Sequence, residues 1–410
     1  MLQFMRPFIS ILVAVSAAVA APADEALQKA REFVRQNEPR VLDYQVELTE
    51  IPAPPFAESE RGARYRELFV ERGLRDVRVD DEGNVIGVRP GLDESPVLVF
   101  SAHLDTVFPA GTDVRVKRDG TNLTAPGIGD DGRGLAVVLG VIDALNHAEI
   151  ETEGPIVFVG TVGEEGLGDL RGVKHLFEHE LKGQIDRFVS IDGQGLRTTN
   201  VGVGSYRYRV TFKGPGGHSY GSFGMTNPIH ALGRLIAKIS DFQVPTHPRA
   251  TFSVGRVFGG TSINSIAFEA SCEVDMRSSD AAALEDLHQT FLAAAHEALR
   301  EEKDRWSNHR ELELVLDQVG LRPAGVTAED SPTVRAVVAA TIEAGGDDLL
   351  RSGSTDANVG MSLGVPAVTI GGGGAGSGAH SPAESFDSTD SWRGTERALL
   401  VALALSSKNP

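Results

Sequence analysis

Residues 96–108 read PVLVFSAHLDTVF, an apolar run that leads into His103 and Asp105. A continuous apolar run of this length is typical of a strand buried on both faces of a parallel sheet. Side chains at positions i and i+2 of a strand point to the same face. The His-x-Asp pair can therefore be a catalytic dyad, a metal ligand with its orienting carboxylate, or a buried ion pair. This stretch alone leaves all three open.

Further strand patterns follow this one and alternate with helical patterns. PIVFVGTV (155–162), RFVSIDG (187–193) and VPAVTI (365–370) have the composition of buried strands. GLAVVLGVIDALNHA (134–148) and DLRGVKHLFEHELKG (169–183) have helical periodicity. The alternation predicts an α/β domain with a mostly parallel sheet and helices on both faces.

The pattern changes between residues 206 and 316, where strand, helix, two strands, helix and strand follow one another. This is the order of a ferredoxin-like split βαβ unit. We therefore expect residues 206–316 to form an inserted α+β domain, and residues 21–205 and 317–410 to form the α/β domain together. The helix after the insertion is predicted to begin with Ser331 as its N-cap and Pro332 as its first residue.

Length and charge narrow the function classes. The chain of 410 residues is long enough for two cores. Its 57 acidic and 39 basic residues give a formal charge of −18, which argues against a phosphate-binding surface and a nucleic-acid partner. The single cysteine, Cys272, cannot form a disulfide within the chain.

The amino terminus has the pattern of a signal peptide. Arg6 precedes the apolar stretch 8–21, and Ala18-Val19-Ala20 fits a small-residue cleavage site. The stretch is shorter than the roughly 20 residues of a transmembrane helix. We expect residues 1–20 to be removed and the mature protein to be periplasmic or secreted, without stable membrane insertion. An uncleaved anchor is the alternative.

Acidic residues and histidines follow the predicted strands of the α/β domain or lie in its loops. The carboxyl ends of strands in an open α/β sheet meet along one edge, where binding sites form. The residues concerned are His103, Asp105, Asp130, Asp131, Glu164, Glu165, Asp192 and His380. Two histidines with several carboxylates form a mixture that binds zinc, so the sequence favours a metal site here.

Other motifs favour other chemistry less strongly. GIGDDG (127–132) and GGGGAG (371–376) match the dinucleotide-binding pattern. The first follows no strand and carries two aspartates, and the second leaves too little chain for a nucleotide-binding half. HLFEH (175–179) places His175 and His179 on one helix face with the spacing of a zinc protease class. A mononuclear zinc protease is thus a second hypothesis, and a metal-free binding protein is a third.

Five segments resemble, in order and spacing, the metal-site motifs of the dinuclear zinc peptidase and aminoacylase family. They are SAHLDTVF (101–108), APGIGDDGRG (125–134), GTVGEEG (160–166), SIDG (190–193) and GAHSPAE (378–384). The resemblance covers nearly the whole mature chain and includes GPGGHS (214–219) of the predicted insertion. It implies a zinc-exopeptidase-like α/β fold whose inserted ferredoxin-like domain serves in dimerisation or as a lid.

The resemblance also implies a set of metal ligands. Asp130 would bridge two zinc ions, for which Co²⁺ or Mn²⁺ are alternatives. His103 and Asp192 would complete one site, and Glu165 and His380 the other. The three carboxylates remove three of the four positive charges, and a bridging hydroxide would neutralise the last.

Further roles follow from the same resemblance. Asp105 would be the carboxylate that orients the imidazole of His103, and a cis peptide would join Asp130 to Asp131. Glu164, which adjoins a ligand without being one, would act as the general base toward the bridging hydroxide.

For substrate and partner, the resemblance points to residues of the inserted domain and to the loops GSTDAN (353–358) and GGGG (371–374). Asn264 and Arg277 are expected to bind substrate, with the Arg277 guanidinium as a carboxylate clamp. His218 is expected to reach the active site of the partner subunit in a homodimer and to stabilise the oxyanion. The resulting hypothesis is an exported dinuclear zinc metallopeptidase that hydrolyses the amide bond of small peptides. An N-acyl amino acid deacylase of the same family is the alternative.

Overall fold

The computed structural model describes residues 22–306 and 311–410, so the predicted signal peptide lies outside the described residues. Within the described ranges, no helix is both long and apolar enough to span a membrane. The helices are α1 (Pro22–Thr49), α2 (Ser59–Glu71), α3 (Gly132–His147), α4 (Arg171–His175), α5 (Pro228–Ser240), α6 (Ala281–Arg305), α7 (Pro332–Glu343), α8 (Ala357–Ser362) and α9 (Trp392–Leu405).

The strands form one large sheet, the sheet of the inserted domain and two small sheets. They are β1 (Arg75–Val79), β2 (Val85–Arg89), β3 (Leu98–His103), β4 (Lys117–Asp119), β5 (Asn122–Thr124), β6 (Ile156–Thr161), β7 (Arg187–Ile191), β8 (Thr198–Gly202), β9 (Gly204–Lys213), β10 (Gly217–His218), β11 (Ala250–Gly259), β12 (Ser265–Ile266), β13 (Glu269–Ser278), β14 (Glu313–Arg322), β15 (Gly325–Val326), β16 (Leu350–Gly353), β17 (Ala367–Ile370), β18 (Ala375–Ser377) and β19 (Ser385–Asp387).

The α/β domain is built on the large sheet, in which the strand order is β1-β2-β6-β3-β7-β17-β8-β15 and β16 also pairs with β8. The central strands β6, β3, β7 and β17 are parallel. Antiparallel strands flank them on both sides. The predicted α/β class, with parallel strands at the centre of the sheet, is confirmed.

Helices cover both faces of this sheet, as predicted. In β3, Leu98 and Phe100 pack in one cluster with helices α1, α3 and α9. Val99, between them, packs on the opposite face with α4 and α8. Because both faces are buried, every position of β3 is shielded from solvent, which explains the apolar run with which the strand begins.

The inserted domain has the predicted ferredoxin-like arrangement. Its strands lie in the order β11-β13-β9-β14, all antiparallel, and α5 and α6 pack with them around a separate core. Cys272 is a buried free thiol in this core. The first strand begins at Gly204 and the last ends at Arg322, which lie beyond the predicted limits of 206 and 316.

Two parts of the α/β domain differ from the sequence prediction. The long helix expected over 169–183 is instead the short α4, which continues as a π-helical segment, Leu176–Glu180. A small sheet, β18-β19-β5-β4, was not predicted at all. Its strands have three residues each and are largely exposed, so they carry too little periodicity to be recognised.

Candidate metal centre and active site

The carboxyl ends of the central strands bring the five predicted metal ligands together. His103 ends β3 and Asp192 directly follows β7, while Asp130 immediately precedes the N-cap of α3. Ligand atoms of these three residues lie within 4.8 Å of one another. A second group with the same spacing consists of Asp130, Glu165 and His380. The two groups share Asp130, which is the geometry expected of a carboxylate that bridges two ions.

Asp130 lies between the two histidines. Its Oδ1 is 3.0 Å from His103 Nε2, and its Oδ2 is 3.2 Å from His380 Nε2. His380 Nε2 also lies 2.9 Å from Glu165 Oε1. Hydrogen bonds to Asp130 and Glu165 raise the pKa of His380 to about 10. One imidazole thus faces two carboxylates, and both carboxylates offer oxygen to any cation held here.

The electrostatics of the cluster fit divalent cations. Burial, together with the charge of Asp130, raises the pKa of Asp192 to about 7. Burial also raises the pKa of Glu164 well above its usual value, and the charges of Glu165 and Asp192 add to this effect. Buried carboxylates that repel one another cost free energy unless positive charge neutralises them. Carboxylate and imidazole donors at this spacing suit zinc and similar metals.

Asp105 is fully buried below the cluster, but its contacts differ from those predicted. Its carboxylate accepts hydrogen bonds from the main-chain amides of Glu164, at 3.0 Å, and Glu165, at 2.8 Å. The imidazole of His103 is oriented by the main-chain carbonyl of Asp105, 3.0 Å from Nδ1, whereas the carboxylate Oδ1 is 3.7 Å away. The two amides need a buried acceptor, so they take the oxygens expected to face the histidine.

Asp131 ties the metal-facing loop to the sheet. The peptide bond between Asp130 and Asp131 is cis, as predicted. The buried Asp131 carboxylate caps α3 by accepting from the amide of Gly134 at 3.0 Å, and it accepts from the amide of His103 at 3.1 Å. The start of α3 and the end of β3 are therefore held together directly beside Asp130.

Two residues that hydrogen-bond to the predicted cluster and its loops were missed by sequence reasoning. Arg322, at the end of β14, donates from Nη1 to Glu164 Oε1 at 3.1 Å. Glu384 is buried and accepts hydrogen bonds from the amides of Gly127, Gly129 and Asp130 at 2.8–2.9 Å. Glu384 lies within GAHSPAE and could have been noticed there. Arg322 is the last residue of a strand of the other domain, and no spacing in the sequence connects it with Glu164.

A cleft of about 570 Å³ opens above the cluster, between the two domains. The charged side chains that line it are Asp130, Glu164, Glu165, Asp192, Arg197, Arg207, Arg277, Arg322, Arg351 and His380. Of the three predicted residues of the inserted domain, only Arg277 lines this cleft. His218 is exposed at the end of β10, and its Nδ1 accepts from the amides of Tyr220 and Gly221 in the following turn at 3.2 Å. Asn264 is exposed beside it, with its carbonyl accepting from the Ser219 amide at 2.9 Å.

The helix of the alternative protease hypothesis does not form the predicted two-histidine site. Among the described residues, His175 groups with Asp80 and Glu180, and His179 is not part of this group. Glu180 is ion-paired with Arg78 at 2.6 Å. The π-helical turn and this ion pair leave a weaker set of donors than the cluster around Asp130.

An open α/β sheet with carboxylates and histidines gathered at its strand ends defines a metal-dependent hydrolase. Comparison with known protein families gives the same class. The model of peptidase family M20/M25/M40 matches residues 99–404. The chain belongs to this family, and the predicted resemblance to dinuclear zinc peptidases and aminoacylases is confirmed.

Individual relatives agree with this assignment. A Mycobacterium tuberculosis protein named as a succinyl-diaminopimelate desuccinylase, DapE, is 27% identical over 342 residues, 80% of this chain and 89% of the relative. The crystal structure of aminopeptidase PepT from Bacillus cereus has a TM-score of 0.72 at 20% identity, covering 90% of this chain and 99% of that one. Bacillus subtilis YXEP, described as a dinuclear metal binding peptidase, has a TM-score of 0.62 at 19% identity, covering 91% and 98%.

Proposed function

We propose that this chain is an exported dinuclear zinc metallopeptidase that hydrolyses the amide bond of small peptides. The observation that carries the proposal is the position of Asp130, which belongs to both groups of candidate metal ligands. His103 and Asp192 would hold one ion, and Glu165 and His380 the other. The likeness in fold to a structure described as an aminopeptidase supports peptide substrates. Export rests on the sequence pattern of residues 1–20 alone.

The protein's own residues then supply proton transfer and orientation. Divalent cations held by these residues would act as a Lewis acid toward the scissile carbonyl and would lower the pKa of the attacking water. Glu164 would accept a proton at its carboxylate as the general base and would donate it to the nitrogen of the leaving amine. Arg322 fixes the position of Glu164 through the 3.1 Å contact to Oε1. Asp105 fixes the loop that carries Glu164 and Glu165 through its two amide hydrogen bonds.

The inserted domain would contribute to substrate binding. Arg277 lines the cleft and is proposed to bind a substrate carboxylate. His218 ends β10 and Asn264 directly precedes β12, and the pairing of these two strands makes the two residues neighbours in the same domain. We propose that they act on the substrate of a second subunit in a homodimer, with His218 donating to the oxyanion. The exposure of His218 in the single chain is compatible with that role.

A deacylase acting on N-acyl amino acids is the second candidate. The supporting observation is the 27% identity, over most of both chains, to a protein named as a desuccinylase. Both reactions hydrolyse an amide bond by attack of water on its carbonyl, so the role given to Glu164 applies to either.

Metal analysis combined with a substrate panel tests the proposal. The mature chain is loaded separately with Zn²⁺, Co²⁺ and Mn²⁺, and bound metal is counted before dipeptides, tripeptides and N-acyl amino acids are assayed. We expect two equivalents of metal and hydrolysis of peptides. The double variant His175→Ala/His179→Ala is the matched control and should keep both equivalents. If this control loses one equivalent of metal, the result would instead support the mononuclear hypothesis.

A further inference from the structure

The cleft above the metal ligands has an unusual charge balance for an acidic protein. Five arginines line it, against the four carboxylates of the cluster, although the whole chain carries a formal charge of −18. The carboxylates already face the histidines and would be neutralised further by the cations of the proposed function. Arg322 is paired with Glu164 at 3.1 Å. The other four arginines are therefore in excess over the carboxylates of the cluster, and they line the space where a substrate would lie.

One part of this excess is on the inserted domain. Arg207 and Arg277 share a single carboxylate, that of Asp275, through Nε atoms at 3.1 Å and 2.7 Å. Burial lowers the pKa of Arg207, and the positive charge of Arg322 lowers it further. Within the described part of the chain, the terminal nitrogens of Arg277 have no hydrogen-bond acceptor, and its side chain is 39% exposed. Arg207 also donates from Nη1 to the carbonyl of Gly166 at 2.9 Å. The two adjacent guanidinium groups thus retain net positive charge, and their free donors are Nη2 of Arg207 and both terminal nitrogens of Arg277.

The second part is on the α/β domain, across the cleft. Arg351 of β16 lies in register with Thr199 of β8, and both line the cleft. The partner of Arg351 is the exposed Asp347, at 3.5 Å. Arg197 donates from Nε to the carbonyl of Gln194 at 3.1 Å, and the described residues offer its terminal nitrogens no acceptor. The single α-carboxylate of a substrate can bind either the Arg207–Arg277 pair or Arg351 with Arg197, but not both.

The neighbouring cavity has a different character. It has a volume of about 460 Å³ and meets the cleft at Asp130, Asp192 and Arg197. Glycines at 129, 193, 195, 374, 376 and 378 make up much of its lining. Positive charge is therefore concentrated on one side of the metal ligands. Among the residues that the structure describes, the other side carries no charged side chain apart from Asp130, Asp192 and Arg197, which line both cavities.

We propose that the preferred substrate ends in an acidic residue, so that the leaving group is an amino dicarboxylate of the aspartate or glutamate type. The Arg207–Arg277 pair binds one carboxylate, and Arg351 with Arg197 binds the other. Guanidinium groups bind carboxylates bidentately, which gives geometric selectivity as well as attraction. A neutral side chain would leave one arginine group without an anion in the closed complex. This inference rests on the proposed function and adds to it the class of the carboxyl-terminal residue.

Isosteric dipeptides provide the test on the metal-loaded, full mature chain. We expect kcat/KM for Ala-Glu to exceed that for Ala-Gln about 10–100-fold, the usual effect of losing a hydrogen-bonded charge. The kcat/KM values of the transposed pair, Glu-Ala and Gln-Ala, should differ much less, because the side chain of the first residue enters the glycine-lined side. Equal rates for Ala-Glu and Ala-Gln would overturn the inference while leaving the proposed peptidase function intact.

Arginine variants show whether these side chains cause the preference. Arg207→Gln should reduce the ratio of kcat/KM for Ala-Glu to kcat/KM for Ala-Gln toward unity, and Arg351→Gln should do so independently. The metal content of both variants should be unchanged. Arg209→Gln is the matched control, because Arg209 lies on the same strand and is paired with Glu273 outside the cleft. A ratio unchanged in both cleft variants, with melting temperatures close to that of the unsubstituted protein, would overturn the assignment.

A binding measurement separates the inference from the proposed function. Calorimetry on the metal-loaded protein compares free glutamate with free glutamine, the two product amino acids. Glutamate should bind about tenfold more tightly, and Arg207→Gln should abolish the difference. If no peptide or N-acyl amino acid is hydrolysed but this difference is present, the proposed function fails and the dicarboxylate site stands. Equal binding of the two amino acids overturns the site.

Discussion

The α/β domain and the inserted domain were both predicted from strand and helix order, but their site residues behave differently. In the α/β domain, the predicted residues after β3, β6 and β7 converge within a few ångströms of Asp130. In the inserted domain, Arg277 lines the cleft, whereas His218 and Asn264 are exposed next to each other, at the ends of β10 and β12, and do not line it.

The difference follows from strand direction. Parallel strands end at one edge of the sheet, so residues that follow successive strands meet even when they are far apart in sequence. Antiparallel neighbours end at opposite edges, and in the inserted sheet every pairing is antiparallel. Sequence position therefore locates a site in the α/β domain and fails to do so in the inserted domain. A role for His218 in catalysis then requires a second subunit or a movement of the domain.

The largest effect should come from the α/β side of this comparison. Glu164→Ala should lower kcat about 10²–10⁴-fold, the contribution of a general base, while both metal equivalents stay bound. Glu164→Gln is the matched variant, because it keeps an oxygen for the Nη1 of Arg322 and nearly the same volume. Loss of one metal equivalent in both variants would mean that Glu164 is a ligand and not the base.

His218→Ala tests whether the inserted domain contributes a catalytic side chain. Removing one oxyanion donor typically costs about 10²–10³-fold in rate, so kcat should fall within that range without loss of metal. In the free subunit the change removes only an acceptor for the amides of Tyr220 and Gly221 on an exposed turn. The melting temperature should therefore stay close to that of the unsubstituted protein. An unchanged kcat would assign His218 to the turn alone.

Mixed dimers show whether His218 acts across subunits. His218→Ala protein mixed with inactive Glu164→Ala protein creates one site with Glu164 intact and His218 supplied by the partner. Partial return of activity is expected once subunits exchange. Sedimentation as a monomer at assay concentration, or no return of activity despite exchange, would contradict the action in trans.

Much of the fold was predictable because its signals are local and repeated. The apolar run of β3, the order of elements in the insertion and the N-cap at Ser331 appear in the structure as expected, the last with Ser331 Oγ accepting from Val334 at 3.2 Å. The π-helical turn after His175 was missed because helical periodicity does not distinguish hydrogen-bonding registers. The strands β18 and β19 are too short to show a period.

The site was predictable only in part, for a related reason. Spacing after strands identified the cluster around Asp130, but the partner of each side chain depends on competition between nearby donors. Asp105 illustrates this, because two amides occupy the carboxylate that was expected to orient His103. Arg322 reaches Glu164 from the other domain, a contact that depends on how the two domains pack.

Asp105→Asn measures how much that competition matters. The asparagine keeps one acceptor oxygen, so one of the amide bonds to Glu164 and Glu165 survives and the other meets an NH₂ group. We expect the fold to persist and metal affinity to fall about 10–100-fold, as is usual when a residue supporting a ligand is changed. Metal affinity is measured by competition with a chelator. Unchanged affinity and activity would make Asp105 a structural residue at the end of its strand.

The smallest effect concerns whether the two domains are separate folding units. Asp280 caps α6 of the inserted domain by accepting from Ala283 at 2.8 Å, and Ser331 caps α7 of the α/β domain. Asp280→Ala and Ser331→Ala should each lower the free energy of unfolding of their own domain by about 1 kcal/mol, a shift of a few degrees. Neither should change metal content or kcat.

The inserted domain has its own core, so scanning calorimetry should resolve two transitions. Because metal binds only the folded α/β domain, added Zn²⁺ should raise one transition, the one that Ser331→Ala lowers. If Asp280→Ala lowers the metal-sensitive transition instead, the two domains unfold as a single unit.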